Sequence, residues 1–426
     1  MQFENDILVV QKTTRGAAMI PKPKPYIQAF EQLGFGIFLH FGLYSILQRG
    51  EWAAEFQHLD MKEYEKLMES FTVDDMAHAV TLAKDAGAKY ITLTTRHHDG
   101  FSLYDTHGLN HYDAPHAACG RDLVKEFVDA CRKNDIVPFF YHTLLDWWKP
   151  EFQTDFPSYL QYLRDSVKLL CTNYGTIGGF WFDGSWSRSD DWEEDALYSM
   201  IRHYQPQAMI INNTGLSALG QTGHAEIDSV TFERGRAFPL ERDGMEKYVA
   251  GEVCDSINAH WGIANDFHAK SPSYLIESIC DARKVGANYL LNIGPKPNGD
   301  PDQYSCATLE MIGGWMRIFG TAVYNGRPLW YKQHRRNFVL KDVHGDALYI
   351  FCYGLPVHGS GNVVSGEGAE GPYLFDGITD TVQSVFWIDN QEPLRFWQNE
   401  SGLTVDLIGY PYGTDYCVRV AKAILK

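Results

Sequence analysis

The chain has 426 residues, of which 45% are hydrophobic and 21% charged, as is ordinary for a globular enzyme of about two domains. Acidic residues outnumber basic ones by 54 to 37, so nucleic acid and anionic membranes are not expected as partners. The N-terminal residues lack the features of a signal peptide, and no stretch approaches the roughly 18 apolar residues of a membrane span. These features predict a cytoplasmic protein.

Strand-like and helix-like segments alternate between residues 34 and 320. The predicted strands cover residues 35–41, 89–95, 136–141, 177–182, 208–212, 229–232, 251–254 and 288–293. The predicted helices cover residues 74–86, 121–133, 159–170, 193–204, 273–285 and 304–319. About eight β/α units without a Gly-rich phosphate turn predict a (β/α)8-like TIM barrel, a fold of the α/β class. The polar, Gly-rich stretch 215–251 is expected to form long active-site loops.

The pattern changes after Trp330. Short alternating runs, at residues 338–340, 347–353, 383–387, 403–408 and 416–420, predict an antiparallel β-sandwich. We therefore divide the chain into a catalytic barrel, residues 1–328, and a C-terminal accessory domain, residues 329–426. This second domain would bind glycan, build a homo-oligomer or shield the barrel.

Eight cysteines are scattered along the chain without a CxxC pair. Several fall within apolar helix-like or strand-like patterns. They are therefore predicted to be reduced core residues, with disulfides or metal ligation as the minor alternative.

An acidic residue ends the fourth predicted strand. Asp183 directly follows the apolar run 177–182 and has Trp181 and Trp186 beside it. Because the carboxyl ends of barrel strands carry the active site, Asp183 is a candidate nucleophile facing a sugar ring. The alternative is an Asp that caps the following loop or helix.

Polar and aromatic side chains also follow the first three predicted strands. They are His40, Glu51, Trp52, His97, His98, Tyr141 and His142. A metal hydrolase would need a His-x-His pair after the first strand, where this chain has only His40. Adjacent His97 and His98 would point to opposite sides of an extended segment, which also argues against one shared ion. We therefore expect no metal and no cofactor.

Carbohydrate binding fits these residue types better. Neutral His, Glu and Trp supply donors, acceptors and an aromatic face to a sugar ring. Six tryptophans fall near predicted strand ends, namely Trp52, Trp147, Trp148, Trp181, Trp186 and Trp261. Core packing explains one tryptophan, but six near one rim favour a sugar.

In several ordered motifs the chain resembles the α-L-fucosidases of glycoside hydrolase family 29. The motifs are Leu39-His40-Phe41-Gly42, Gly50-Glu51-Trp52, residues 95–101 (TRHHDGF), Tyr141 with Asp146-Trp147, residues 181–184 (WFDG), Ser256-Ile257-Asn258 with Trp261-Gly262, and residues 288–295 (NYLLNIGP). The resemblance implies a barrel followed by a β-sandwich. It also implies retaining hydrolysis of terminal α-L-fucose from fucosylated oligosaccharides, by double displacement through a covalent glycosyl-enzyme.

The resemblance also implies roles for individual residues. Asp183 would be the nucleophile. The fucose pocket would be lined by His40, Glu51, Trp52, His97, His98, Tyr141 and Trp181, with His142 as a further substrate-binding residue and Trp261 near the fucose methyl group. The acid/base would come from Glu226, Glu233, Glu241 or Glu252, of which Glu233 aligns best. Glu252 is the second choice, and it would otherwise hold the site together.

Two other functions stay open at this point. One is a retaining glycosidase that is specific for another sugar. The other is a catalytically silent fucose-binding protein, although the intact Asp183 argues against it.

Overall fold

The computed structural model describes residues 20–329, 336–359 and 368–426. The strands are β1 (Phe35–Leu39), β2 (Tyr90–Arg96), β3 (Val137–Thr143), β4 (Gly179–Asp183), β5 (Met209–Asn212), β6 (Ser229–Glu233), β7 (Ala250–Ser256), β8 (Asn288–Ile293), β9 (Gly326–Pro328), β10 (Phe338–Asp342), β11 (Ala347–Tyr353), β12 (Gly371–Asp376), β13 (Val382–Trp387), β14 (Phe396–Asn399), β15 (Gly402–Leu407) and β16 (Val418–Leu425).

The helices are α1 (Pro25–Leu33), α2 (Tyr44–Leu47), α3 (Ala53–Phe56), α4 (Met61–Glu65), α5 (Ala77–Asp85), α6 (Leu123–Lys133), α7 (Glu151–Thr154), α8 (Phe156–Asn173), α9 (Glu194–Tyr204), α10 (Pro272–Lys284) and α11 (Gln303–Asn325). Short 3-10 turns cover Lys66–Ser70, Ala114–His116 and Ser185–Ser187.

Strands β1 to β8 form a closed parallel barrel in chain order, with β1 paired to β8. This confirms the predicted barrel. Helices α5, α6, α8, α9 and α10 lie in the connections that precede β2, β3, β4, β5 and β8. The connections from β5 to β6 and from β6 to β7, residues 213–228 and 234–249, contain no helix. The predicted long loops are therefore present, with β6 running between them.

The helices form where sequence signals start them and an apolar face buries them. Helix α6 shows both features. The Asp122 side chain accepts a hydrogen bond from the Lys125 backbone N–H at the helix start. Leu123, Phe127 and Cys131 are buried on one face, one helical turn apart. This spacing packs the helix onto the barrel and leaves its polar face to solvent.

Two antiparallel sheets follow the barrel. One has the strand order β13-β16-β11-β10-β9 and the other β12-β15-β14, and they pack against each other through a shared apolar core. The larger sheet also packs on the barrel, where the Trp315 indole N–H of α11 donates to the Val418 carbonyl at 2.8 Å. Its first strand, β9, begins at Gly326, just before the predicted domain boundary. Trp330 lies outside the described residues.

Two further observations concern the chain as a whole. None of the eight cysteines is paired in a disulfide, and five of them are buried while three are half-buried. Within residues 20–329, 336–359 and 368–426, no helix is long and apolar enough to span a membrane.

Candidate active site

A cavity of about 530 Å³ opens at the carboxyl ends of the barrel strands. Its walls are formed by Phe38, His40, Trp52, His97, His98, Tyr141, Trp181, Asp183, Trp186, Asn213, Gly215, Leu216, Ser217, Glu233 and Trp261. Nine of the twelve predicted site residues are among them. A larger groove of about 1270 Å³ lies beside α10 and the 234–249 loop, but none of the predicted site residues lines it. The smaller cavity is therefore the candidate active site.

Asp183 is the last residue of β4, and its carboxylate is held on both oxygens. Oδ1 accepts hydrogen bonds from Trp186 Nε1 at 3.1 Å and from Asn213 Nδ2 at 3.2 Å. Oδ2 accepts one from the Tyr141 hydroxyl at 3.1 Å and lies 3.4 Å from His98 Nε2. Burial alone would raise the pKa of Asp183, but His98, Trp186 and Tyr141 outweigh it and hold the pKa below its usual value. Asp183 is therefore ionised at neutral pH.

The chain turns away from the site directly after this carboxylate. Gly184 has φ of 103°, a conformation that favours glycine. A Cβ atom at this position would also lie 2.8 Å from the Leu145 backbone nitrogen. Glycine therefore lets β4 end sharply and leaves Asp183 at the edge of the cavity.

Glu233 ends β6 and faces the same cavity. Its Oε2 accepts a hydrogen bond from Asn213 Nδ2 at 2.7 Å. Burial raises the pKa of Glu233, and the negative charge of Asp183 raises it further. The pKa values of the Asp183 and Glu233 carboxyl groups are thus shifted in opposite directions, which is the arrangement expected for an acid beside a nucleophile.

The shared amide also indicates how far apart the two carboxyl groups are. Asn213 Nδ2 lies 3.2 Å from Asp183 Oδ1 and 2.7 Å from Glu233 Oε2. The two hydrogens of an amide nitrogen diverge by about 120°, which places these oxygens roughly 5 Å apart. Retaining glycosidases hold their two carboxyl groups about 5 to 5.5 Å apart, whereas inverting ones leave room for a water molecule. The geometry therefore favours retention.

Two histidines on the cavity wall are neutral. Burial lowers the pKa of His40 to about 3 and that of His97 well below its usual value. The Asn292 amide donates from Nδ2 to the Trp261 carbonyl, so its Oδ1 must accept from His40 Nδ1, at 2.7 Å. His40 Nε2 is then the unprotonated nitrogen of the ring and can accept a hydrogen bond. Uncharged rings of this kind suit the hydroxyl groups of a sugar.

Stacked aromatic rings form much of the remaining wall. Tyr141 stacks on Trp181 with centroids 5.7 Å apart, and His40 stacks on Trp261 at 5.2 Å. The Arg234 guanidinium also lies over the Trp261 ring, 4.7 Å from its centroid. Four of the six predicted rim tryptophans line the cavity. Trp147 and Trp148 lie behind it, where they pack on Trp52 and Tyr64.

Three predicted site residues do not line the cavity. The prediction that His142 contacts substrate is wrong, because alternate side chains of a strand face opposite ways and Tyr141 takes the inner side. The His142 ring is fully buried, 3.3 Å from the Tyr104 hydroxyl. The Glu51 carboxylate lies behind the wall and accepts the backbone N–H groups of Trp261 and Gly262, at 3.0 and 2.8 Å. Its predicted contact with sugar stays a prediction.

Glu252 is the third, and it lies beneath the cavity inside the barrel. Its carboxyl group is fully buried and accepts hydrogen bonds from the Tyr90 hydroxyl at 2.5 Å and from Trp181 Nε1 at 2.9 Å. Burial raises its pKa to about 7. From this position Glu252 holds the Trp181 ring in place through their hydrogen bond, and it does not reach a leaving group in the cavity. The other two acid/base candidates, Glu226 and Glu241, do not line the cavity either.

Sequence reasoning missed several residues of the wall. They are Phe38, Asn213, Gly215, Leu216 and Ser217. Asn213 had a usable signal, because it directly follows a predicted strand. Leu216 and Ser217 lie in a loop without a periodic pattern. Among the described residues, no three His, Cys, Asp or Glu side chains are arranged to hold a metal ion.

Comparisons with known proteins identify the family of the chain. The family model for alpha-L-fucosidase matches residues 11–321. Bovine tissue alpha-L-fucosidase is 26% identical over 411 residues, which cover 89% of this chain and 83% of the bovine protein. The human tissue enzyme is 26% identical over 378 residues, covering 80% and 78% of the two chains.

Solved structures show the same fold. Alpha-L-fucosidase isoenzyme 1 from Paenibacillus thiaminolyticus has a TM-score of 0.81 and 28% identity, over 94% of this chain and 99% of that one. A GH29 alpha-L-fucosidase from Bacteroides thetaiotaomicron has a TM-score of 0.80 and 21% identity, over 98% of each chain. The family match covers the whole barrel, including Asp183 and Glu233. This chain is therefore a glycoside hydrolase that belongs to the α-L-fucosidase family, GH29.

Proposed function

We propose that the protein is a retaining exo-α-L-fucosidase that removes terminal α-L-fucose from fucosylated oligosaccharides by double displacement. One observation carries the mechanism: the Asp183 and Glu233 carboxyl groups face one cavity and both accept a hydrogen bond from Asn213 Nδ2. This geometry places their nearest oxygens roughly 5 Å apart, and their pKa values are shifted in opposite directions.

In the first step the Asp183 carboxylate attacks the anomeric carbon. A bond forms between that carbon and an Asp183 oxygen, while the bond to the leaving oxygen breaks. Glu233 gives its proton to the leaving oxygen, so the aglycone departs as a neutral alcohol. The product of this step is a glycosyl-enzyme ester of inverted configuration.

In the second step water releases the sugar. Esterification removes the negative charge of Asp183, which had helped to keep Glu233 protonated. Glu233, now ionised, takes a proton from water as the water oxygen attacks the anomeric carbon. The Asp183 carboxylate leaves, and the second inversion restores the original configuration.

The cavity suits a single terminal 6-deoxy sugar. Neutral His40 and His97 offer hydrogen-bonding atoms to hydroxyl groups. Phe38 and Trp181, with centroids 5.2 Å apart, close the inner end with apolar rings. Phe38 also lies 6.1 Å from Trp261, so the apolar corner between them fits a methyl group in place of a hydroxymethyl group. A cavity closed at its inner end favours removal of terminal residues.

The leaving group would lie at the mouth, on the side of Glu233. Trp186 and Leu216 line the cavity there and remain 48% and 64% exposed. Exposed apolar side chains at a cavity mouth offer a stacking surface to the next sugar ring. This supports an oligosaccharide as the substrate.

We also propose a cytoplasmic location and a role in fucose metabolism. The eight free thiols support a reducing compartment. Fractionation of the source cells, with fucosidase activity measured in each fraction, tests the location. Oligomeric state is measured by light scattering of the purified protein.

Turnover of an aryl α-L-fucoside, compared with a panel of other aryl glycosides, tests the proposed function. We expect hydrolysis of the fucoside alone, with α-L-fucose as the first product observed by proton NMR. Initial release of β-L-fucose would overturn the retaining mechanism. Hydrolysis of another glycoside in its place would overturn the sugar assignment. Binding of fucose without turnover would support the silent binding protein.

A further inference from the structure

Asn213 touches both carboxyl groups of the proposed reaction. It follows β5 and is buried, with 3% of its surface exposed. Its Nδ2 donates to Asp183 Oδ1 at 3.2 Å and to Glu233 Oε2 at 2.7 Å. Its Oδ1 accepts from the Thr231 hydroxyl at 3.0 Å and from the Gly215 backbone N–H at 3.3 Å. Both donor hydrogens and both acceptor positions of the amide are therefore used.

These partners fix the orientation of the amide. A backbone N–H can only donate, so the side of Asn213 that faces Gly215 must be the oxygen. The nitrogen then faces the two carboxylates. Thr231 lies two residues before Glu233 on β6, so both side chains point to the same face of the strand. Asn213 is thereby held by β6 as well as by β5.

The barrel has little backbone pairing between β5 and β6. Strands β5 and β6 pair at one position, Ile211 with Ser229, whereas β6 and β7 pair over five. No helix lies in the connection between β5 and β6. The backbone therefore links β6, which carries Glu233, only weakly to β5, and through β5 to β4, which carries Asp183. The Asn213 side chain spans the gap between the two carboxyl groups.

We infer that Asn213 is a positioning residue that sets the spacing and orientation of the Asp183 and Glu233 carboxyl groups. The inference rests on the proposed function. Each carboxyl group receives one hydrogen of a single rigid amide, so neither can shift alone without losing its bond. The bond to Glu233 also remains once Asp183 is esterified, when Glu233 must act as a base.

The inference predicts a change in the pH profile. The charged groups that act on Glu233 are Asp183, Arg234 and Glu51, and the Asn213 amide lowers the Glu233 pKa against burial and Asp183. An N–H donor stabilises an ionised carboxylate, so its removal raises the pKa of the acceptor. The acid limb reports ionisation of Asp183 and the alkaline limb that of Glu233. Loss of the amide should therefore move both limbs to higher pH.

The test compares Asn213→Ala with Asn212→Ala, and Asn213→Ser serves as a milder variant. Asn212 is also buried but donates to Glu194 and the Tyr198 hydroxyl, at 3.1 and 3.0 Å, away from the cavity. It therefore controls for a general loss of packing at the end of β5. Measurements are kcat/KM against pH on an aryl α-L-fucoside, the unfolding temperature, and calorimetric binding of a fucose-configured iminosugar.

We expect Asn213→Ala to lower kcat/KM about 100-fold and to move both limbs upward by about half a pH unit or more. Asn213→Ser should lie between it and the wild type. Asn212→Ala should change the unfolding temperature but not the limbs. A folded Asn213→Ala protein with unmoved limbs, or equal limb shifts in Asn212→Ala, would overturn the inference alone. A wild type that neither hydrolyses the fucoside nor binds the iminosugar would overturn the proposed function, and the inference with it.

Discussion

The two carboxyl groups of the active site stand on differently built sides of the barrel. Strands β1 to β4 alternate with helices, and the Asp183 carboxylate receives contacts from β3 and from the segments after β2, β4 and β5. Strands β5 to β7 are joined by connections without helices, and among the described residues the Glu233 carboxyl group accepts one hydrogen bond, from Asn213. The different number of contacts fits the different chemical role of each carboxyl group. A nucleophile must stay ionised and in place, whereas an acid/base must gain and lose a proton.

The largest effect is expected at the more tightly held group. Replacing Asp183 with Ala removes the proposed nucleophile and should lower kcat on an aryl fucoside by about 10⁴-fold or more. Added azide should restore turnover and give the β-fucosyl azide, because azide fills the space and attacks once. The control is Asp190→Asn, an exposed carboxylate paired with Arg188. Rescue without a fucosyl azide would argue against Asp183 as the nucleophile.

Glu233→Gln tests the role of the second carboxyl group, which has fewer contacts than Asp183. Loss of the acid should cost about 10² to 10³-fold with a poor leaving group and far less with an activated aryl leaving group, which departs without a proton. Azide should now give the α-fucosyl azide. Glu226→Gln is the matched control, since Glu226 pairs with Arg202 outside the cavity. An equal loss with both leaving groups would count against Glu233 as the acid.

Trp186→Phe weakens the hold on Asp183 without removing it. The change deletes the Nε1 donor at 3.1 Å from Oδ1 but keeps a ring to stack on Trp52. We expect kcat/KM to fall about 10-fold and the acid limb of the pH profile to move upward, because a bond to an ionised group is lost. Trp397→Phe, an exposed position in β14, is the control. An unmoved acid limb would show that Trp186 does not tune Asp183.

The smallest effect on activity is expected at Glu252. Glu252→Gln keeps an acceptor for Trp181 and should leave kcat/KM within about threefold near pH 6. A loss comparable to that of Glu233→Gln would instead make Glu252 catalytic.

The Glu252→Gln substitution should change the free energy of unfolding even though it has little effect on activity. Burial raises the folded-state pKa of Glu252 from 4.5 to about 7. Its stabilising contribution is then fully present below the unfolded pKa and is lost as pH rises through about 7, at a cost of about 3 kcal/mol. Denaturant unfolding should therefore show that the free energy of unfolding of Glu252→Gln increases relative to that of the wild type between pH 5 and pH 8. Parallel curves for the two proteins would contradict the shift.

The sequence predicts most of the barrel because its strands are buried apolar runs that end in polar residues. The edge strands β12 and β14 were missed because their apolar residues, Tyr373, Leu374 and Phe375 in β12 and Phe396 and Trp397 in β14, form short runs that do not alternate with polar residues. His142 was misplaced because a strand end shows which residues are adjacent but not which face each takes. Asn213 was missed because an amide has no charge or ring to mark it as chemistry. Its role depends on which atoms it meets across two strands.

The helix-free connections around β6 also have an evolutionary consequence. A loop that carries no part of the outer helical layer can change length or composition without disturbing the rest of the barrel. Residues 214–217, which include Leu216 and Ser217 at the cavity mouth, lie in such a loop. Changes in this loop can therefore alter the preference for a leaving group while Asp183 and the residues that contact it stay unchanged. The same stretch is the natural place to confine a mutagenesis library for altered linkage specificity.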